Sequence, residues 1–285
     1  MIGELAHRAL LLELRCFPKP GLVSHIDSGS HQDMDAACFE ASAAAIRPFL
    51  SALACAGHEG ADMPALRVIG MAAERAMMAA TGGVNTHRGA IFGLGLLCAA
   101  AGVATERGPA HLGDVVAARW GDAIRGGPVP PRSHGTTALR RYGIGGAREQ
   151  AAKGFPLLYA HGLPAWREGC RLGGGDDEAA RLHCFFALMA VLPDTTLLHR
   201  GGMEGLLFAQ GQARRFLDAG GVGRPGWRQD ARAMHRLFVE RSLSGGGCAD
   251  MLAMTLFVAM VEDLPRGAAS IAATDMMIDT VGSGG

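Results

Sequence analysis

In the stretch FEASAAAIRPFLSAL (39–53), apolar residues return at steps of three and four: Phe39, Ala43, Ile46, Phe49 with Leu50, and Leu53. That spacing places them on one face of an α-helix. LHCFFALMAVL (182–192) repeats the pattern with Leu182, Phe185 with Phe186, Met189 and Leu192. No segment of useful length alternates apolar and polar residues with the β-branched and aromatic enrichment of strands, and aromatic residues make up only 6% of the chain. The expected fold is all-α. Helices are predicted near 2–16, 35–56, 64–80, 88–103, 111–124, 146–161, 176–192, 202–218, 227–241 and 249–262. They form a single compact domain over 1–280 with a flexible tail at 281–285, and glycine-rich loops between helices form the site. No repeat period emerges. RGGPVPPR (125–132) reads as an ordered loop, a lid or a boundary.

The chain has 285 residues, long enough to bury a substantial core, and its 27 Lys+Arg balance 27 Asp+Glu. That balance lacks the basic excess of a general nucleic-acid binder, so no nucleic-acid partner is expected and an anionic ligand must meet local charge. The seven cysteines contain no C-x-x-C pair, so neither a disulfide framework nor a zinc knuckle is indicated. A reducing, cytoplasmic setting fits. Glu4, Arg8, Glu13 and Arg15 interrupt the apolar run a signal peptide requires. The uncharged segment from Gly89 to Thr105 is just short of a membrane span, and Gly93, Gly95 and Gly102 within it favour a close-packed buried helix, so no membrane partner is expected.

Four polar, glycine-containing loops run straight into predicted helices: PKPGLVSHIDSGSHQDMD (18–35), TGGVNTHRG (81–89), DTTLLHRGG (194–202) and LSGGGCAD (243–250). Glycine lets the backbone approach a ligand closely, and the free amides of a helix start attract anions. Helix-to-helix turns also use glycine whatever the function, so each loop alone is weak evidence. The first loop holds His25, Asp27, His31, Asp33 and Asp35. Asp33 and Asp35 suit Mg²⁺, which takes one or two carboxylates plus waters and substrate phosphates, or else one of them is a general base. Asp33 capping the following helix is the plainer account of the same residue. In the second loop Asn85, Thr86, His87 and Arg88 offer donors to an anion, with capping by Asn85 or Thr86 as the alternative. Asp194 and Arg200 in the third loop, Asp250 in the fourth and Arg148 after Gly145 and Gly146 complete the candidate set. There is no G-x-x-x-x-G-K-[ST], no G-x-G-x-x-G behind a strand, no H-E-x-x-H, no G-x-S-x-G and no His-Asp dipeptide. A nucleotide site in this chain is therefore an unusual one.

Read together, KPGLVSHIDSGSHQDMD (19–35), TGGVNTHRGAIFGLGLL (81–97), YGIGGAREQAAKGFP (142–156), DTTLLHRGG (194–202) and GGGCADMLAMTLF (245–257) resemble the triphosphoribosyl-dephospho-CoA synthase family, in family order and over most of the chain. The resemblance implies an all-α enzyme that joins ATP to 3′-dephospho-CoA and releases adenine. Its product, 2′-(5″-triphosphoribosyl)-3′-dephospho-CoA, passes to a transferase that loads an acyl carrier subunit. The malonate decarboxylase branch is favoured over the citrate lyase branch by the DTTLLHRGG form. On this resemblance Asp33, Asp35 and His31 are the expected catalytic residues. Gly83, Asn85, Thr86, His87, Arg88, Arg148, Arg200, Gly201 and Gly246 are expected to bind the triphosphate, and Asp33, Asp35, Asp194 and Asp250 to hold Mg²⁺. Arg88 stands where the family often has lysine, and Cys248 where it has serine. A homodimer is allowed. The alternatives are a Mg²⁺-dependent helical nucleotide hydrolase and a non-enzymatic helical scaffold for a carboxylase complex.

Overall fold

The computed structural model describes residues 1–107, 111–129 and 133–262. Their helices are α1 (Ile2–Leu14), α2 (Ala36–His58), α3 (Met63–Ala80), α4 (Arg88–Arg107), α5 (Leu112–Gly126), α6 (His134–Tyr142), α7 (Gly146–Ala152), α8 (Leu163–Leu172), α9 (Asp177–Val191), α10 (Thr195–Asp218), α11 (Trp227–Glu240) and α12 (Gly246–Glu262), with no strand among the described residues. The all-α expectation is met. The last three residues of the 125–132 loop, the 281–285 tail and the domain boundary at 280 lie outside the described residues.

Polar side chains set many of the helix starts. Asp35, Asp62, Ser133, Asp176 and Asp194 each accept amides from the first turn of α2, α3, α6, α9 and α10. The cap of α2 is thus Asp35 and not Asp33, two positions later than the capping account placed it. Both apolar stripes face the core: Ala43, Ile46, Leu50 and Leu53 on α2 are buried, as are Leu182, Phe185, Phe186 and Met189 on α9 and Leu192 just after it.

The uncharged segment after Gly89 is α4, packed against α2, α12 and α5. A Cβ on Gly102 would lie 1.9 Å from the Ala54 carbonyl oxygen, and one on Gly57 would lie 2.0 Å from that of Ala99. Glycine at both positions lets the α2 and α4 backbones touch. α12 is buried almost throughout, from Met251 to Ala259, and packs on α1, α4 and α9. One described helix, α2, is long and apolar enough to cross a membrane, yet its buried face is taken by α1, α3 and α4.

Three boundaries differ from expectation. The helix predicted over 146–161 stops at Ala152, because the chain turns through Gly154 (φ 75°) and the buried Phe155 (φ 57°), and a π-helical turn at Leu158–Gly162 then leads into α8. A Cβ on Gly154 would meet the Gly113 carbonyl oxygen at 2.6 Å, so this turn packs directly on α5. α6 and α8 form where no helix is predicted; HGTTALRRY carries too few apolar residues for a stripe. α10 begins at Thr195, seven residues before the predicted start, with a break at Gly202 (φ 62°, ψ −161°).

Candidate active site

Five helices direct their N-termini at one cavity of about 1180 Å³: it is lined at Asn85–Gly89 before and in α4, Ser133–Thr136 at α6, Gly145–Arg148 at α7, Asp194–Thr196 at α10 and Gly246–Gly247 at α12. Asn85, Ser133 and Asp194 cap one or two amides at the starts of α4, α6 and α10, and the positive end of each helix dipole still faces the cavity and favours an anion. Arg67, Arg88, Arg148 and Arg200 line the same cavity, as do His134 and His199. Its apolar lining includes Leu66, Ile91, Phe92, Ile124 and Met254.

The structure brings most of the expected residues together here. His31, Asp33, Asn85, Thr86, His87, Arg88, Arg148, Asp194, Arg200, Gly246 and Asp250 all line the cavity, whereas Asp35, Gly83 and Gly201 do not. Asp35 is spent as the α2 cap, accepting the Cys38 amide at 2.9 Å. Gly201 packs on Leu243, whose Cδ2 would lie 2.6 Å from a Cβ at that position. Gly83 serves the turn before α4, with φ 95°.

Within the first loop, His25 Nε2 pairs with Glu40 (2.8 Å), while Asp27 caps its own turn by accepting the Gly29 amide (3.0 Å). His31 is tied into the wall. Arg200 Nη2 donates to His31 Nδ1 (3.2 Å), which must therefore be unprotonated, so the Nε2 proton points to Ser244 Oγ (2.9 Å). Burial, then Arg200, lowers the His31 pKa to about 4, with Asp33 opposing. Arg200 Nη1 also donates to the carbonyls of Ser30 (3.1 Å) and Ser242 (3.0 Å), joining the first loop to the segment before α12. Asp33 stays exposed at the cavity, its Oδ1 3.9 Å from His31 Nδ1.

His87 is buried, its Nδ1 2.6 Å from Ser42 Oγ, and burial lowers its pKa to about 4. It is a neutral support for the loop and carries no charge for an anion at neutral pH. Asn85 caps α4 by accepting the Arg88 amide (3.2 Å), and Thr86 donates to Ser42 Oγ (2.7 Å). The Arg88 guanidinium pairs with Glu74, a residue that sequence reasoning missed (Nε to Oε2, 3.1 Å). Arg148 donates to the carbonyls of Gly127 (2.6 Å), Pro128 (2.8 Å) and Arg125 (3.2 Å), so its guanidinium closes the C-terminal end of α5.

Three further carboxyl groups, those of Asp194, Asp250 and Glu13, line the same cavity. Asp194 is 1% exposed; its Oδ1 accepts the amides of Thr196 (2.7 Å) and Leu197 (3.1 Å), and its Oδ2 accepts that of Cys248 (2.8 Å). Burial raises its pKa against the pull of those amides. Asp250 lies against Gly89, where a Cβ would come within 2.0 Å of its Oδ2. Burial raises its pKa well above the ordinary range, reinforced by Glu13 and Asp194 and opposed by a hydrogen bond from the Ala90 amide. Glu13 belongs to the cavity wall too and pairs with the buried Lys19 (3.1 Å). A carboxylate inside a helix stripe gives no motif, so Glu13 had no signal in the sequence beyond its interruption of apolar residues. Among the described residues, no three His, Cys, Asp or Glu side chains are grouped to hold a metal.

Comparison with known proteins agrees with this geometry. Residues 1–267 match the family described as CitG: ATP:dephospho-CoA triphosphoribosyl transferase. A 2-(5″-triphosphoribosyl)-3′-dephosphocoenzyme-A synthase of Pectobacterium atrosepticum is 44% identical over 89% of this chain and 87% of its own length. Proteins named as probable synthases of the same kind are 41% identical in Albidiferax ferrireducens, over 92% of this chain and 91% of the relative, and 43% identical in Azotobacter vinelandii, over the same shares. No solved structure matches the chain. With the match extending over nearly all of the described helices, the chain belongs to the ATP:dephospho-CoA triphosphoribosyl transferase family.

Proposed function

We propose that the chain makes 2′-(5″-triphosphoribosyl)-3′-dephospho-CoA from ATP and 3′-dephospho-CoA with release of adenine. The observation that carries this reading is one cavity ringed by five helix starts and lined by Arg88 and Arg200, with the enclosed carboxyl group of Asp250 in the same wall. Such a cavity offers donors to a polyphosphate and a carboxyl group to the sugar and base.

In this reaction the bond from ribose C1 to adenine breaks, and the acceptor 2′-hydroxyl of dephospho-CoA takes its place at C1. The carbon passes through an oxocarbenium-like centre that a neighbouring carboxylate stabilises, as in glycoside hydrolysis. Asp250, whose pKa burial raises, is the carboxyl group placed to give a proton to the departing base and to face the sugar as carboxylate afterwards. Asp33, free of hydrogen bonds to amides, draws the proton from the acceptor hydroxyl or shares Mg²⁺ with the triphosphate. Asp33 fits Mg²⁺ better than Asp35 or Asp194, whose oxygens are engaged by amides. When bound, Mg²⁺ neutralises triphosphate charge. Arg88 and Arg200 hold the same group in place, and since no phosphoryl bond breaks, a P-loop is not required.

We place the reaction in the cytoplasm, supported by seven unpaired cysteines, with the product passing to a transferase that loads the acyl carrier subunit of malonate decarboxylase. The test is adenine release with ATP, Mg²⁺ and dephospho-CoA, products identified by mass, followed by loading of malonate decarboxylase and citrate lyase carrier subunits. Adenine released without dephospho-CoA would make the protein a hydrolase; preferential loading of the citrate lyase carrier would move it to the other branch.

A further inference from the structure

The imidazoles of His134 and His199 stack face to face, their centroids 3.9 Å apart and their planes 17° from parallel. They come from separate elements, the first residue of α6 and the segment of α10 before its break, and both line the cavity. Among the described residues neither ring has a hydrogen-bond or ion-pair partner. Two imidazoles at this separation can carry one positive charge between them but resist two, because the like charges repel. Partial burial, His199, Arg200 and Arg88 all hold His134 in its neutral form.

The carboxylates on the neighbouring elements are otherwise engaged. Asp194 on α10 is bound by amides, and Glu149 on α7 pairs with Lys153 and the Gly145 amide. Asp33 lies beside Arg200 and His31. Arg148 on α7 is spent on the end of α5. Arg140 and Arg141 sit at the far end of α6. What the pair faces is therefore positive charge and the amides of the α6 start, a setting in which an incoming anion is the missing counter-charge.

We propose that His134 and His199 bind a polyphosphate anion as a pair, one imidazole nitrogen taking a proton from solvent as the anion enters between Arg88 and Arg200. No covalent bond changes, and the proton is returned when the anion leaves. This rests on reading the cavity as a triphosphate site, and it adds a proton-linked contact to that reading. The anion raises the pKa of the pair in the bound state. The contact is accordingly strongest on the acid side and is lost as pH rises through the bound-state value.

The probe is inorganic triphosphate, titrated calorimetrically into the whole protein at neutral pH in buffers of different ionisation enthalpy, which counts protons exchanged on binding. His134→Gln, His199→Gln and the double variant keep a hydrogen-bond donor at each position but cannot take the proton. Protons lost by the ligand itself are common to all proteins, so the difference between wild type and variant reports the imidazoles. The wild type should take up more protons than the double variant and bind about tenfold or more tightly, the loss expected for one charge-assisted hydrogen bond. Its affinity should fall with rising pH more steeply than the variant's. Equal proton counts, or no binding of inorganic triphosphate by the wild type, would overturn the proposal. Both rings are exposed, and melting curves verify folding; if the double variant is unfolded, His199→Gln makes the same comparison. Adenine release is measured in parallel. Release with equal proton counts removes the histidine pair and leaves the transferase reading, whereas proton-linked binding without release does the reverse.

Discussion

The carboxylate of Asp194, which caps α10, also accepts the backbone amide of Cys248 in the first turn of α12 at 2.8 Å. One buried side chain thereby fixes two of the helix starts that line the cavity. Asp194→Asn keeps the cap on α10 but turns an NH₂ group towards the Cys248 amide, donor against donor. It should cost about 1–3 kcal/mol, the range for a buried donor left unsatisfied, in chemical denaturation. An unchanged midpoint would mean that the link between α10 and α12 contributes nothing.

A pH effect follows from His87. In the fold it stays neutral down to about 4, while in the unfolded chain it takes up a proton near 6.5. Its depressed value means that its contribution is complete above 6.5 and lost as pH falls towards 4, about 3 kcal/mol across that window at 1.36 kcal/mol per unit. His87→Gln should flatten this part of the acid limb when stability is followed by denaturation at a series of pH values.

Arg200 and Arg148 should separate cleanly. Arg200→Ala is expected to weaken ATP more than adenosine, by about 1.5–3 kcal/mol if one charge-assisted bond is lost. Arg148→Ala should instead destabilise the fold by about 1–2 kcal/mol, since its guanidinium holds the last carbonyls of α5. Calorimetry with both ligands and thermal melting distinguish the two; equal loss of ATP and adenosine affinity in Arg200→Ala would place that side chain away from the triphosphate.

The first-loop carboxylates divide in the same manner. Asn caps a helix about as well as Asp, so Asp35→Asn should leave adenine release near the wild-type rate. Asp33→Asn should lower it by roughly 10²-fold with folding retained. A defect that shrinks as Mg²⁺ is raised identifies a metal ligand, and one that persists identifies a base. Near wild-type release would take Asp33 out of the reaction.

At Asp250 the expected result is a fall in adenine release of roughly 10²-fold or more for Asp250→Asn, with ATP binding retained. Gly89→Ala tests the same carboxyl without altering it, because the new methyl group would overlap Asp250 Oδ2. A Gly89→Ala protein as active as wild type would show that the position of Asp250 does not matter.

The sequence made the helical class and the cavity loops legible for a physical reason. Stripes such as Ile46, Leu50 and Leu53 report burial directly, and glycine-containing loops mark places where backbones or ligands come close. What it concealed was how polar side chains are spent. Arg148 and Arg200 look alike beside their glycines, yet one closes a helix and the other joins two loops, a difference set by carbonyls distant in the chain. The cap of α2 falls on Asp35, two residues beyond the Asp33 that the capping account named, because the start of α2 depends on a backbone turn that no periodicity reports. Glu74, Glu13 and His134 sit in or beside helices without a motif, and only the packing of α3, α1 and α6 around the cavity exposes them.

The helix starts that ring the cavity belong to residues 88, 134, 146, 195 and 246, spread over more than half of the chain. Only a fragment that runs from residue 88 through 246 contains them all, and loop-closure entropy must be met for each before an anion can be held. Substrate binding is then a measure of cooperativity: partial proteolysis or truncation should abolish it outright and not in steps, and a bound polyphosphate should protect sites remote from the cavity as strongly as those beside it.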